Sequence, residues 1–60
     1  MSYILFNGDM VFINKVDFIS RKGPIIIIQL SSGNQIKNNY KAENKAKIAM
    51  ENIATQIAIS

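Results

Sequence analysis

Short apolar runs broken by turn-forming residues fill the first two thirds of the chain, and an apolar stripe at helical spacing fills the last third. Tyr3 to Phe6 and Met10 to Ile13 are β-branched and aromatic runs on either side of Asn7-Gly8-Asp9. Asn-Gly is the preferred pair where both central turn residues need positive φ, so this stretch predicts a hairpin. Asn14-Lys15 predicts a kink. In the next strand, Val16 to Ser20, regular alternation puts Val16, Phe18 and Ser20 on one face and Asp17, Ile19 and Arg21 on the other. The same alternation assigns Phe12 and Phe18 to the core. Arg21-Lys22-Gly23-Pro24 has turn chemistry, because Gly23 tolerates a left-handed conformation and Pro24 cannot donate to a ladder.

Ile25-Ile26-Ile27-Ile28-Gln29-Leu30 is the strongest strand signal. Four consecutive β-branched side chains fit a pleated sheet and crowd a helix, so this strand belongs at the sheet centre. Ser31-Ser32-Gly33-Asn34 reads as a turn, and Gln35 to Asn38 or Tyr40 as a more polar strand at an edge. From Ala42 onward Ala, Lys, Glu, Met and Ile dominate without Gly or Pro, which predicts one helix. Ala42, Ala46, Ala49, Met50, Ile53 and Ile57 recur every three or four residues and form its buried stripe. Asn39 is its expected cap, and Glu43 sits in the first turn, where the helix dipole favours a carboxylate. The expected fold class is α+β. Residues 1–60 form a single domain, a small antiparallel β-meander of three to four strands followed by one C-terminal helix packed on one face of the sheet.

Composition narrows the function more than it names it. Sixty residues hold one small core, which buries about 60% of the surface of the unfolded chain. With 48% hydrophobic and 18% charged residues the chain has apolar area enough to fold. It has no Cys, so disulfides and thiolate metal sites are excluded, and self-association is the remaining way for so short a chain to bury more surface. The abundance of Ile, Asn and Lys matches A/T-rich codons, so counts of these types carry little functional meaning. The start of the chain has no cation ahead of its apolar run, and that run ends at Asn7-Gly8-Asp9. It reads as neither signal peptide nor membrane span, and the expected location is the cytoplasm.

Enzymatic chemistry is disfavoured. Without His or Cys the commonest general base, metal ligand and thiol nucleophile are missing, and Asp9, Asp17, Glu43 and Glu51 are scattered over different segments. The hydroxyls of Ser20, Ser31, Ser32 and Thr55 have no evident activating partner. Ser31-Ser32-Gly33-Asn34 lacks the spacing of a phosphate-binding loop and precedes a strand. No catalytic residue, metal, cofactor or small-molecule substrate is therefore expected.

Two features point to binding. One helix covers one sheet face, so if Ile26, Ile28 and Leu30 face the helix, Ile25 and Ile27 face away. Ile48 and Ile59 lie opposite the buried helix stripe on one outer line, with Thr55 between them. Ile25, Ile27, Ile48 and Ile59 are accordingly the expected interface of a homo-oligomer or of a complex with a larger protein. The alternative to this interface is a sheet curled into a small barrel with Ile25 and Ile27 turned inward. The second feature is basic: Lys37, Tyr40, Lys41 and Lys45, with Asn38, Asn39 and Lys47, cluster where sheet passes into helix. Lysines there oppose the helix dipole and each other, a conflict that a bound anion relieves. With a net charge of +3 this supports a DNA- or RNA-binding module as the alternative function. The layout, short strands and then a covering helix on a small basic domain, resembles that of the tiny archaeal chromatin proteins. That resemblance implies a β-surface that binds DNA; it extends to layout only, and no site residue is carried over. Size and composition also suit an accessory product of a phage or mobile element that binds and modulates a larger host protein.

Overall fold

A computed structural model describes residues 2–59 of the chain. Strands β1 (Tyr3–Phe6) and β2 (Asp9–Phe12) form a hairpin, and a single 3-10 turn at Ile13–Lys15 leads into β3 (Val16–Lys22). Strands β4 (Ile25–Leu30) and β5 (Gln35–Asn39) come next, and helix α1 (Glu43–Ala58) ends the described chain. All pairing is antiparallel. The hairpin is a two-stranded sheet of its own, and β3, β4 and β5 make a three-stranded sheet with β4 at its centre.

The turns explain the pairing. Asn7 and Gly8 both have positive φ, 53° and 81°, which is what a two-residue turn matched to the twist of its strands requires. Gly23 takes φ 60° in the two-residue loop between Lys22 and Ile25, where Pro24 needs no ladder partner. Strand β4 pairs on both sides, as its isoleucine run predicts, and the polar β5 lies at the sheet edge.

Helix α1 packs on one face of the three-stranded sheet and against β1. Its stripe is as the spacing predicts, with Ala46 and Ile53 buried and Ala42, Ala49, Met50 and Ile57 half-buried. The core consists of Ile4, Phe6 and Val11 from the hairpin, Ile26 and Ile28 from β4, and Ala46 and Ile53 from the helix. Ile13, Val16, Ile19, Leu30 and Ile36 pack around it. The alternation of β4 also holds, since Ile26 and Ile28 are buried while Ile25 and Ile27, on the opposite face, are half-buried. The strands do not join into one barrel, because the hairpin shares no ladder with the main sheet.

Three local expectations are corrected. Val16 lies opposite Leu30 and Phe18 opposite Gln29, so the register shifts between them and Asp17 is one residue too many for its partner strand. This β-bulge brings Val16 to the core-facing side with Ile19 and turns Phe18 outward, where it is 52% exposed. Phe12 is also outside the core, because it pairs with Tyr3 on the outer side of the hairpin and Val11 takes the inner position. Asn39 does not cap the helix. The residue at the cap is Ala42, which makes no side-chain bond, while the Asn39 Oδ1 accepts the Lys41 N–H at 2.8 Å and braces the turn ahead of it.

These placements fix the sign of two substitutions. Ile28→Ala removes a wholly buried side chain and should cost about 2–5 kcal/mol, comparable with the roughly 5 kcal/mol at the low end for whole domains. Phe18→Ala, at an outward position, should cost about 1 kcal/mol or less. Urea unfolding followed by circular dichroism measures both, and equal losses would contradict the bulge.

Candidate interaction surfaces

The hairpin is apolar on both faces. Its inner face contributes Ile4, Phe6 and Val11 to the core, and the register then sets Tyr3 beside Phe12 and Leu5 beside Met10 on the outer face. These four side chains are between 39% and 68% exposed. No charged residue lies among them. Cross-strand neighbours stand about 4.5–5.5 Å apart at Cβ, so the four make one continuous patch. The expectation of an apolar sheet face without cover therefore has its fullest expression in the hairpin, away from the isoleucines that the sequence singles out. The signal is present there too: Tyr3-Ile4-Leu5-Phe6 and Met10-Val11-Phe12 are unbroken apolar runs, and a hairpin covered on one side must expose half of each.

The outer face of the main sheet is different. Ile25 and Ile27 lie at its centre, flanked by Lys22 and Ser20 on β3 and by Asn39 and Lys37 on β5. Long polar side chains lay their aliphatic stems over such positions, in keeping with the half-burial of both isoleucines. Phe18, Gln29 and Gln35 complete this face, and the Gln35 Nε2 donates to the Gln29 Oε1 at 2.8 Å. Ile48 and Ile59 are 57% and 80% exposed on the side of α1 turned away from the sheet. The four isoleucines named from the sequence thus lie as two pairs on opposite surfaces of the molecule, and the structure does not bring them together.

The basic cluster is dispersed in a similar way. Lys37 lies on the outer face of β5, Lys45 is exposed on the helix, and Lys41 holds the turn between them with φ 67°. Tyr40 is half-buried and packs against the core, with its N–H donating to the Pro24 carbonyl at 2.9 Å. Its ring is spent on packing. At the helix start the Glu43 carboxylate accepts from the Arg21 Nη1 at 3.2 Å, and the same Arg21 Nη1 donates to the Gly23 carbonyl at 2.9 Å. This exposed ion pair joins the β3–β4 turn to the helix N-terminus, where Glu43 answers the dipole.

A groove of about 330 Å³ runs beside β3, lined by Ile13, Val16, Asp17, Phe18 and Ile19 and, from the helix, by Met50, Ile53, Ala54 and Ile57. Ile19 faces the helix and Phe18 faces outward, so a groove lined by both lies at the border of the sheet, where β3 has no further strand. Its lining is aliphatic and aromatic except for Asp17. The remaining carboxylates are separate: Asp9 comes just after the hairpin turn, and Glu51 is mid-helix, where its carbonyl accepts the Thr55 hydroxyl at 3.0 Å. Among the described residues no group of three or more His, Cys, Asp or Glu could hold a metal ion, and no helix is long and apolar enough to cross a membrane.

Comparison with protein-family models, with curated proteins and with solved structures found no match to this chain. The functional reading therefore rests on the surfaces themselves.

Lys41 supplies a direct check on the turn before the helix. A lysine at φ 67° carries a strain that glycine does not, of roughly 1 kcal/mol. Lys41→Gly should raise stability by about 0.5–1 kcal/mol in urea unfolding. A loss of that size would show that the lysine side chain holds the turn.

Proposed function

We propose that the protein is a non-catalytic interaction module that self-associates and binds or modulates a larger protein. The observation that carries this reading is a balance. Among the described residues seven hydrophobic residues are buried, and seven large hydrophobic side chains, Tyr3, Leu5, Met10, Phe12, Phe18, Ile48 and Ile59, stand exposed. Scattered surface apolar groups are ordinary, but four of these adjoin on one face of one hairpin, and contiguous patches of this kind are where proteins meet. Ile25 and Ile27 on the outer sheet face and Ile48 and Ile59 on the helix provide further contact surface for a larger partner. A role as an accessory product of a phage or mobile element accords with the small size of the chain.

Nucleic-acid binding is the second reading, favoured by the outer face of the main sheet. Lys22 and Lys37 lie on it with the exposed ring of Phe18, and no carboxylate shares its registered positions. Lys41 and Lys45 extend the positive surface toward the helix. A ring and several lysines are the elements of a sequence-tolerant site for single strands.

Sedimentation equilibrium separates the readings when joined to a binding titration. The expected result is a mass above the 6.7 kDa of one chain at high micromolar concentration, and no binding to mixed-sequence DNA or RNA at low salt. A clean monomer with no protein partner would remove the first reading. Low-salt nucleic-acid binding that falls steeply with added salt, and is lost in the double variant Lys41→Glu, Lys45→Glu, would establish the second.

A further inference from the structure

Self-association leaves open which surface joins two copies. We propose that it is the outer face of the hairpin, and that its occupant is the same face of a second copy, related by a two-fold axis. The inference rests on self-association and names its site.

Charge selects the partner. In a two-fold contact a surface meets itself, so every charge on it is brought toward its own like. The chain carries a net charge of +3, yet all seven of its lysine and arginine residues lie outside residues 3–12, and the outer face of the hairpin holds only Tyr3, Leu5, Met10 and Phe12. Two copies meet there without opposing like charges. On the outer face of the main sheet Lys22 and Lys37 would face their own copies, and on the helix Lys45 and Lys47 neighbour Ile48.

Shape is also self-complementary. One end of the patch is an aromatic pair, Tyr3 with Phe12, and the other an aliphatic pair, Leu5 with Met10. A two-fold axis lying in the interface and crossing the strands sets the aromatic pair of one copy on the aliphatic pair of the other. Ring, leucine and methionine then pack in both halves at once, including the sulfur–aromatic contact that methionine favours.

The area is sufficient for a weak dimer. Large side chains of this kind bury roughly 150–250 Å² when fully covered, so at the observed exposures the four offer on the order of 400 Å² of apolar surface. Covered completely, the patch removes about 400 Å² of apolar surface from each copy and about 800 Å² from the pair, and polar atoms at its rim supply the rest of the roughly 1,200 Å² at which specific interfaces begin. A dissociation constant in the micromolar range is expected.

The test is sedimentation equilibrium on the full chain between about 5 and 500 µM, with thermal unfolding to show that each variant is folded. Leu5 is 68% exposed, so Leu5→Lys and Leu5→Glu leave the core intact. Each variant alone should be a folded monomer, with the dimer weakened at least tenfold. An equimolar mixture of the two should associate more than either variant alone, because the introduced charges, one on each side of the axis, then attract where two like charges repel. Met10→Lys should behave as Leu5→Lys does, and Ile27→Lys should remain dimeric. A Leu5→Lys variant as dimeric as the parent chain, or dissociation by Ile27→Lys alone, overturns the hairpin interface while self-association stands. A parent chain that is monomeric throughout overturns both.

Discussion

Two small sheets share one lid, and the fold depends on that sharing. The two-stranded hairpin cannot stand alone, since an isolated hairpin is marginal in water. Ile4, Phe6 and Val11 from the hairpin and Ile26 and Ile28 from the three-stranded sheet reach burial only by entering a common cluster beneath α1. Ala46 is the enabling residue on the helix. Its side chain is a single methyl group and wholly buried, so the helix backbone lies close to the core cluster, to which Ile53 adds the larger side chain. Every surface considered as a binding site is the reverse side of an element held by this cluster.

Much of this architecture is legible in the residues. The isoleucine run of β4, the Asn7-Gly8 turn and the alanine and isoleucine stripe of α1 each rest on a local rule that tertiary packing does not override. The failures have separate causes: the hairpin register puts Val11 inward and Phe12 outward, and a bulge turns Phe18 outward. Phe12 and Phe18 are assigned to the core by counting alternate positions, and alternation holds only while the register does. At Asp17 the bulge inserts a residue, and the part of the strand before it changes side relative to the part after it. Nothing in Val16-Asp17-Phe18 signals a bulge, because the cause is the pairing with β4 and the need to bring both Val16 and Ile19 to the core. Asn39 fails differently: it is a good capping residue, but the helix begins at Glu43, too far along for its side chain to reach.

The binding surfaces are legible in principle and only in part in practice. One helix covers one face of one sheet, and that rule finds Ile25 and Ile27. Applied to the hairpin it also finds Leu5 and Met10, which are more exposed. What the residues alone do not give is how neighbours shade a side chain. Ile25 and Ile27 have a neighbouring strand on each side and are half-buried, whereas the hairpin has no third strand to shade its outer face. In the same way the core claims Tyr40, which leaves the basic cluster without the ring its sequence promises.

The bulge that breaks the alternation has a further physical effect. Strand β3 borders the main sheet, and a straight border strand offers evenly spaced donors and acceptors on which another molecule's strand can zip, copy after copy, into a fibril. At Asp17 that spacing is broken and the strand bends. For a chain with as much greasy exterior as this one, the irregularity is a safeguard: it spoils one of the two borders of the main sheet as a template for filaments and leaves only the polar β5 as a regular one.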